Sequence, residues 1–421
     1  MRLAVAGLTH LGVCMSIAGH EAGLDVVAFD TDSARVDAAR RADFDAAEPG
    51  VVDFLRDEHE RYRITDDIAA IAGVDLVMIA IDTVLDENGD NDDHEVVELL
   101  EWLSGHLAPN VPIVIASQVR PGFTRAHEHL HPALYYFMET LIFGRGLERA
   151  MHPERYIVGR SSDRQELPPA LQEYLDLPGC PVHVMSYESA ELTKLSANYV
   201  LSASITAANS LADLAQRLGA NWQDIEAALR DDRRIGEKAY ITAGLGIGGA
   251  NLTRDLFGIK AMADRLGADS SFSATMLEHS AYMRDWILRT ITDVRRGARL
   301  DRLAVLGLAY KPGTQSMRGG SGIDLVGTFE SVLDVVVHDQ AVTMPARPAG
   351  SRAVQARTAL EAMSGAQVIA LTTPWPEYRD EVREFLATGP ETIVIDPYRL
   401  VDRGWALSPR TRIIQLGVSD A

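Results

Sequence analysis

Short apolar runs alternate with helix-like segments toward both ends of the chain, with a long helical pattern between them. Strands that alternate with helices at this spacing predict a parallel sheet with helices on both faces. The sequence therefore predicts a doubly wound N-terminal domain over residues 1–186. Its apolar runs occupy residues 2–7, Leu24–Phe29, Leu76–Ile81, Val111–Ala116, Tyr156–Gly159 and Val182–Met185.

The middle of the chain has a different period. From Tyr187 to about Leu218, a segment without glycine or proline carries apolar residues at helical spacing, and a second helical block spans roughly 255–296. We therefore predict an all-α middle domain over 187–298, whose long helix is the expected interface of a homodimer. A second Rossmann-like α/β domain is predicted over 299–421. Its strands are Leu303–Leu308, Val335–His338, Val368–Thr372 and Ile393–Asp396.

Composition narrows the range of functions. A hydrophobic fraction of 47% and a charged fraction of 24% are those of a globular protein. No apolar run approaches the length of a membrane span, and only two cysteines, Cys14 and Cys180, occur, so we expect a cytoplasmic protein. The net charge of −20 argues against nucleic-acid binding. Only four of the 40 basic residues are lysines, so each retained lysine is informative, because arginine cannot give up its proton.

The first apolar run leads into a glycine turn typical of dinucleotide sites. Gly7-Leu-Thr-His-Leu-Gly12 lies between a strand and a helix, the context in which a helix N-terminus binds a diphosphate. Such turns normally carry a further glycine that lets the backbone approach the diphosphate, and Thr9 stands there instead. We expect its Cβ to displace the ligand slightly, with a hydrogen bond from its hydroxyl as a compensation.

The second apolar run ends in Asp30, placed to accept a hydrogen bond from a ribose 2′-hydroxyl. A carboxylate there disfavours a 2′-phosphate, so we predict NAD rather than NADP as the cofactor. No partner ligands are evident around His10, so we expect a loop residue beside the cofactor and no metal site. Cys14 is expected to pack in the core. The residues predicted to contact NAD in this part are Gly7, Thr9, His10, Leu11, Gly12, Asp30 and Arg35.

Several separated motifs resemble those of the UDP-glucose/GDP-mannose dehydrogenase family over nearly the whole chain. Glu48-Pro-Gly50 is similar to the family's Glu-Pro-Gly, and Ile81-Asp-Thr-Val84 stands where the family has Val-Pro-Thr-Pro. Thr83 is thus retained, while both prolines are lost. Ser117-Gln-Val-Arg-Pro-Gly122 resembles Ser-Thr-Val-Pro-Pro-Gly, with Gln118 in place of a threonine tied to the family's active-site water. The resemblance adds Thr83 and Gln118 to the cofactor-binding residues.

The long helix gives the best match, because residues 191–198 fit the family's Glu-x-x-Lys-x-x-x-Asn. Lys194 and Asn198 lie four residues apart and project from one helix face; the alternative is a solvated surface pair. Glu139 matches the glutamate of the family's Asn-Pro-Glu-Phe. The resemblance implies that Lys194, with Asp255 and an ordered water, takes the proton from a substrate hydroxyl, while Asn198 and Glu139 hold the substrate hydroxyls.

Further motifs resemble the family's nucleotide-sugar-binding residues. Asp232-Arg-Arg-Ile-Gly236 is similar to Asp-x-Arg-Ile-Gly, whose arginine reaches the sugar of a partner subunit. Gly307-Leu-Ala-Tyr-Lys-Pro-Gly-Thr314 resembles a motif that contacts the diphosphate and the sugar. The resemblance thus implies a nucleotide-diphosphate sugar as the substrate. The implied substrate-binding residues are Arg234, Tyr240, Gly246, Gly248, Gly249, Arg254, Lys311 and Arg318.

The glycine-rich turn predicted over residues 246–255 carries the main departure from the family. Asn251 stands where the family has the cysteine that holds the sugar as a thiohemiacetal, which allows two successive oxidations. An amide is not nucleophilic and cannot form this bond. We therefore predict that Asn251 belongs to a site that oxidises its substrate only once.

The predicted function is NAD-dependent oxidation of a nucleotide sugar from an alcohol to a ketone or an aldehyde. A ketone cannot be oxidised further, which would make a cysteine useless. Pathways to unusual sugars, such as the octose of lincosamide antibiotics, need such steps. Three alternatives remain: an epimerase that oxidises and re-reduces one carbon on bound NAD, a non-catalytic protein that binds nucleotide sugars, and an acid-forming dehydrogenase with another nucleophile.

Overall fold

Two compact units make up the computed structural model of the chain, spanning residues 1–197 and 198–421. The residues that the structure describes are 1–43, 48–57, 59–85, 91–141, 144–248, 250–297, 299–317, 319–406 and 408–419. Among them, no helix combines the length and the apolar character needed to cross a membrane.

The first unit is built on an eight-stranded sheet in the order β10-β9-β8-β7-β4-β1-β2-β3. Strands β8 and β9 pair antiparallel, and the other neighbouring strands pair parallel. The order β3-β2-β1-β4-β7-β8 is that of a doubly wound dinucleotide-binding sheet. The elements are β1 (Arg2–Ala6), α1 (His10–Glu21), β2 (Asp25–Phe29), α2 (Ser33–Arg40), α3 (Val51–Arg56), β3 (Tyr62–Thr65), β4 (Leu76–Ile79), β5 (Val84–Leu85), β6 (Asn91–Asp92), α4 (His94–His106), β7 (Ile113–Ile115), α5 (Phe123–His127), β8 (Leu134–Phe137), α6 (Gly146–Met151), β9 (Tyr156–Arg160), α7 (Pro169–Asp176), β10 (Val182–Ser186) and α8 (Tyr187–Leu218), which continues into the second unit.

Burial on both faces of this sheet explains its sequence. The side chains of β4 are fully buried, as are those of Leu3–Ala6 in β1. Because helices cover both sides, a parallel strand reads as a continuous apolar run instead of an alternating one. The carboxyl ends of β1, β2 and β4 lie next to one another, which gathers the loops that follow them at one edge of the sheet.

The second unit begins with helices and ends with a six-stranded parallel sheet in the order β13-β12-β11-β14-β15-β16. This is again the doubly wound order, so the predicted fold class, two Rossmann-like parts with a helical middle, is confirmed. The elements are α9 (Trp222–Asp231), α10 (Ala250–Leu266), α11 (Ser271–Arg284), α12 (Trp286–Gly297), β11 (Arg302–Leu306), α13 (Ser321–Phe329), β12 (Asp334–His338), β13 (Val354–Gln355), α14 (Ala359–Met363), β14 (Val368–Leu371), α15 (Glu377–Leu386), β15 (Ile393–Asp396) and β16 (Arg412–Gln415).

The helical block predicted over 255–296 is three helices, α10 to α12, and the first of them starts earlier than expected. Gly267, with a φ of +72°, ends α10 in the left-handed conformation that commonly follows a helix. Because α10 begins at Ala250, the prediction of one glycine-rich turn over 246–255 is wrong in its second half. Asn251, Arg254 and Asp255 lie on the first turns of α10.

Candidate functional site

The turn between β1 and α1 has the close backbone packing of a dinucleotide-binding turn. Gly7 has a φ of +106°, and a Cβ on it would lie 2.6 Å from Cγ1 of Ile81 and 2.9 Å from the carbonyl oxygen of Ala80. A Cβ on Gly12 would collide with the carbonyl oxygen of Gly7. Only glycine fits at these two positions, and the backbone of the turn is free to approach a diphosphate at the start of α1.

Asp30 holds this turn from the end of β2. Its Oδ2 accepts a hydrogen bond from the Leu8 N–H at 2.7 Å, and its Oδ1 accepts one from the Asp32 N–H at 2.9 Å. Burial raises the pKa of Asp30 above its ordinary value, although these backbone N–H groups oppose the rise. Nη1 of Arg35 lies 3.8 Å from Oδ2 of Asp30, and Arg35 also pairs with Glu95. Each carboxylate oxygen keeps a second lone pair, so Asp30 can also accept from a ribose hydroxyl.

The Thr9 hydroxyl bonds to the chain segment that follows β4. It donates to the Ala80 carbonyl oxygen at 3.4 Å and accepts from the Asp82 N–H at 2.9 Å. Oδ2 of Asp82 in turn accepts from the Leu11 N–H, at 2.9 Å, in the first turn of α1. Sequence reasoning missed Asp82 as a site residue, and the only signal for it was the loss of a proline at that position.

The two cofactor-binding residues suggested by the family resemblance lie in the same part of the sheet. The Thr83 hydroxyl donates to the backbone carbonyl oxygen of Gln118 at 2.9 Å. Just before it, the Ile81 N–H donates to the hydroxyl of Ser117, which is fully buried, at 2.8 Å. These bonds connect the loop after β4 to the loop after β7, so Thr83 and Gln118 lie at the carboxyl edge of the sheet.

Two potential metal ligands surround His10, contrary to the expectation from the sequence. Nε2 of His10 lies 2.9 Å from Oε1 of Glu48 and 3.7 Å from Sγ of Cys14, and one donor atom from each lies within 4.8 Å of the others. His10 and Cys14 are one turn apart on α1, whereas Glu48 comes from a distant loop. Glu48 also accepts from two backbone N–H groups of residues 144–146, so hydrogen bonds account for this cluster. Burial, then the charges of Glu48 and Asp82, raise the pKa of Cys14 to about 12.

Lys194 lies near the start of α8 and is held by Glu139, which follows β8. Its Nζ is 2.5 Å from Oε1 of Glu139 and 3.1 Å from the backbone oxygen of the same residue. The two side chains are 16% and 12% exposed. Oε2 of Glu139 accepts from the Leu141 N–H at 2.7 Å, which fixes the carboxylate. Lys194 and Glu139, both predicted as catalytic, therefore form a mostly buried ion pair within the first unit.

Asn198 and Asp255, predicted as a second pair of site residues, are in contact within the second unit. Nδ2 of Asn198 donates to Oδ2 of Asp255 at 2.5 Å, and Nε of Arg254 lies 2.9 Å from Oδ1 of Asp255. Asp255 is 3% exposed. Its carboxylate thus has a neutral donor on one oxygen and a cation on the other. Asn251 lies four residues before Asp255 on α10, and its side chain is outside the described part of the structure.

The glycine loop before α10 depends on two residues that sequence reasoning missed. Gly246 has a φ of +81°, and a Cβ on it would lie 2.6 Å from the backbone oxygen of Ser280. The hydroxyl of Ser280 accepts from the Ile247 N–H at 2.9 Å. Oδ1 of Asn209 accepts from the Gly244 N–H at 2.7 Å. Both partners are buried polar residues on helices, Asn209 on α8 and Ser280 on α11, and their positions in the sequence do not reveal which loop they contact.

The remaining predicted substrate residues present their side chains to solvent or lie elsewhere in the loops. Arg234 pairs with Asp232 at 2.6 Å and is mostly exposed. Tyr240 is 54% exposed, and Nζ of Lys311 lies 5.4 Å from the ring centroid of Tyr310. A Cβ on Gly248 would meet open space, while Gly249 and Arg318 lie outside the described residues.

Comparison with protein families identifies three consecutive domains of one family. Residues 1–166 match the NAD binding domain of the UDP-glucose/GDP-mannose dehydrogenase family. Residues 188–281 match the central domain, and residues 304–403 match the UDP binding domain. The three matches run in chain order and together cover most of the sequence.

Similar proteins extend along nearly the full chain. The UDP-glucose 6-dehydrogenase of Pseudomonas aeruginosa is 27% identical over 90% of this chain and 89% of its own length. The UDP-glucose 6-dehydrogenase AglM of Haloferax volcanii is 28% identical over 96% of this chain and 98% of its own. A UDP-glucose dehydrogenase structure from Pyrobaculum islandicum superimposes with a TM-score of 0.79 at 25% identity, covering 99% of this chain and 98% of that one. The chain therefore belongs to the UDP-glucose/GDP-mannose dehydrogenase family of NAD-dependent nucleotide-sugar dehydrogenases.

Proposed function

We propose that this protein oxidises a nucleotide sugar by a single two-electron step, from an alcohol to a ketone or an aldehyde. The observation that carries the proposal is Asn251, which stands where the family pattern has its cysteine, one helical turn before Asp255. An amide cannot add to an aldehyde as a thiolate does. The reaction therefore lacks the covalent intermediate from which a second hydride would leave.

Neither cysteine of the chain supplies the missing thiolate in this proposal. Cys14 lies on α1 among the residues that follow the dinucleotide turn, and a pKa of about 12 keeps its thiol protonated near neutral pH. Cys180 immediately precedes β10, and burial raises its pKa as well. A protonated thiol is a poor nucleophile.

Two pairs of side chains, the Lys194–Glu139 ion pair and the hydrogen-bonded Asn198–Asp255 pair, supply the chemistry of the first oxidation. NAD, held at the turn between β1 and α1, would supply the hydride acceptor, so the protein must hold the alcohol and take its hydroxyl proton as the C=O bond forms. We assign proton removal to Lys194, acting with Asp255 and an ordered water. Lys194 must first pass its own proton to solvent or to Glu139, whose Oε1 lies 2.5 Å from Nζ, so that the neutral amine can accept the substrate's proton. We assign orientation of the substrate hydroxyls to Glu139 and to Asn198, whose Nδ2 donates to Oδ2 of Asp255 at 2.5 Å. Lys194 and Asn198 lie one turn apart on α8.

A second candidate function is binding of nucleotide sugars without oxidation. The observation that favours it is the hydrogen bond from the Leu11 N–H to the Asp82 carboxylate, in the first turn of the predicted diphosphate-binding helix. The retained Lys194–Glu139 and Asn198–Asp255 pairs favour the oxidation.

The proposed single step also suits a pathway to an unusual sugar, in which a keto-sugar is an intermediate for further modification.

The test is to incubate the protein with NAD and a panel of UDP-, GDP- and dTDP-sugars and to count NADH formed per sugar consumed. One NADH per sugar with a carbonyl product supports the proposal, and two with a carboxylic acid contradict it. Inverted sugar without NADH identifies an epimerase, and binding without turnover identifies a non-catalytic protein. Mass spectrometry of the product distinguishes these outcomes.

Replacing Asn251 sharpens this test. If the product is an aldehyde, Asn251→Cys supplies a nucleophile and raises the yield toward two NADH per sugar. If the product is a ketone, Asn251→Cys leaves the yield at one, because a ketone has no hydrogen left to give on that carbon. Asn251→Ser is the matched control, since serine is similar in size to cysteine and has no thiol.

We also propose that the protein is a homodimer that buries part of α8. Leu211, Leu214 and Leu218 are 48%, 49% and 73% exposed and recur at the spacing of one helix face, with Val200 at 62% on the same helix. An exposed apolar stripe of this kind is typical of a protein interface. Leu214→Glu is expected to convert a dimer to a monomer in light scattering, and a monomeric wild-type protein would overturn the proposal.

A further inference from the structure

An acidic side chain lies at the start of the helix that a dinucleotide diphosphate approaches. In turns of this type the diphosphate binds the free N–H groups in the first turn of the helix. Leu11 is the second residue of α1, and its N–H donates to Oδ2 of Asp82 at 2.9 Å. A carboxylate therefore makes the kind of contact that a phosphate oxygen makes in such a turn.

A further hydrogen bond holds Asp82 next to the turn between β1 and α1. The Asp82 N–H donates to the Thr9 hydroxyl at 2.9 Å, so the side chains of both Asp82 and Thr9 bond the two segments to each other. Both residues replace others in the family pattern, Thr9 a glycine and Asp82 a proline. Proline has no N–H and no carboxylate, and glycine has no hydroxyl, so the family residues could form neither bond.

Asp82 is one of several carboxylates around the turn between β1 and α1. Asp30 accepts from the Leu8 N–H at the other side of the same turn, at 2.7 Å, and Glu48 lies 2.9 Å from His10. Three carboxylates thus surround a turn whose ligand carries a diphosphate. Asp30 and Glu48 are buried and accept hydrogen bonds from backbone N–H groups, whereas Asp82 is exposed.

We propose that Asp82 is an internal competitor for the diphosphate position, and that NAD binds by displacing its carboxylate from the Leu11 N–H. This inference rests on the proposed function only in taking NAD as the ligand of this turn. It makes Asp82 a residue that sets the affinity for NAD. Removing the charge relieves one repulsion at close range in a solvated site, which corresponds to an expected gain in affinity of about five- to tenfold.

The test is calorimetric titration of the full-length protein with NAD, ADP and adenosine. Asp82→Ala and Asp82→Asn are expected to lower the Kd for NAD and for ADP by about five- to tenfold, while the Kd for adenosine stays unchanged because adenosine has no phosphate. Asp82→Ala should also lower the melting temperature of the nucleotide-free protein, since a helix N-terminus loses an acceptor. Asp176→Asn, an exposed aspartate at the end of α7, is the charge-matched control.

Unchanged or weaker NAD binding by both Asp82 variants overturns the proposal, as does an equal gain for adenosine. The sugar panel separates this result from the proposed function. Tighter NAD binding by Asp82→Ala without oxidation of any sugar supports the competitor and contradicts the oxidation. Oxidation by the wild-type protein with no change of affinity in Asp82→Ala contradicts the competitor and supports the oxidation.

Discussion

Replacing Lys194 with methionine removes one charge and keeps most of the length of the side chain. The ammonium lies 2.5 Å from the carboxylate and 3.1 Å from the backbone oxygen of Glu139, and both side chains are mostly buried. Hydrogen bonds between charged groups contribute about 1.5–3 kcal/mol. We expect Lys194→Met to lower the free energy of unfolding by about 1–3 kcal/mol, because Glu139 keeps its bond to the Leu141 N–H.

The effect on the reaction should be larger than the effect on stability. A positioned group that takes the substrate proton contributes about 10²- to 10⁴-fold to the rate, which is about 3–5 kcal/mol of activation free energy. The assay is NADH formation in a single turnover with a nucleotide sugar that the wild-type protein oxidises. Affinities for NAD and for the sugar are measured by calorimetry, and we expect them to be retained.

A second lysine provides the control. Lys260, on α10, pairs with Asp264 at 2.8 Å with the side chains 35% and 50% exposed, so Lys260→Met should cost under about 0.5 kcal/mol and leave the rate unchanged. Wild-type turnover by Lys194→Met would refute the assignment of Lys194 to proton removal. A rate loss of equal size in Lys260→Met would show that the effect is not specific to the site.

Three further changes test other parts of the structure. Gly12→Ala should abolish NAD binding in calorimetry, because its Cβ collides with the backbone of the turn. Its control is Gly105→Ala on α4, where a Cβ meets open space, and this variant should raise the free energy of unfolding by about 0.5–1 kcal/mol. Ser280→Ala should lower the free energy of unfolding by about 1–3 kcal/mol in denaturant titration and impair sugar oxidation, because it leaves an N–H of the glycine loop without its acceptor. The guanidinium of Arg347 lowers the pKa of Glu330 from 4.5 to about 2. The Glu330–Arg347 pair therefore stabilises the fold above about pH 4.5, and this contribution is lost as the pH falls toward 2. Thermal melts of Glu330→Gln as a function of pH should lack this part of the acid dependence.

The sheet framework could be predicted because its strands are buried on both faces. Runs such as Leu76–Ile81 have no polar residue to confuse the pattern, and they coincide with β4 and its immediate end. Strands at the sheet edges were harder. The edge strands β3, β13 and β16 were not identified; Tyr62–Thr65 and Arg412–Gln415 mix polar and apolar residues, as expected for strands with one open edge. The interior strand β8 was missed as well, although Leu134–Phe137 is fully buried.

The start of α10 was predicted wrongly for a different reason. Glycines at 246, 248 and 249 and a polar stretch after them favour a continuous turn on local propensity. The helix nevertheless begins at Ala250, because tertiary contacts override propensity over short segments. One such contact is that of the Ile247 N–H with Ser280, a residue more than thirty positions further along the chain.

Residue identities at the site could be predicted, but their contacts could not. The family pattern selected Lys194, Glu139, Asn198 and Asp255 one by one. Spacing along α8 says nothing about Glu139, which is 55 residues from Lys194 in sequence. The same limit hid Asp82, since its importance lies in a bond to Leu11 that no pattern of single residues displays.

The retained pairs contribute to the stability of the fold as well as to the proposed reaction. Losing one member of a buried pair leaves the other without its partner, at a cost of about 1–3 kcal/mol. Asp255 and Glu139 are mostly buried, so stability alone would tend to preserve Asn198 and Lys194 in a protein that no longer oxidises anything. Lys194→Met separates the two roles, because the single-turnover rate and the free energy of unfolding are measured independently on the same variant: a protein that keeps the pair for stability alone loses folding free energy without having a turnover rate to lose.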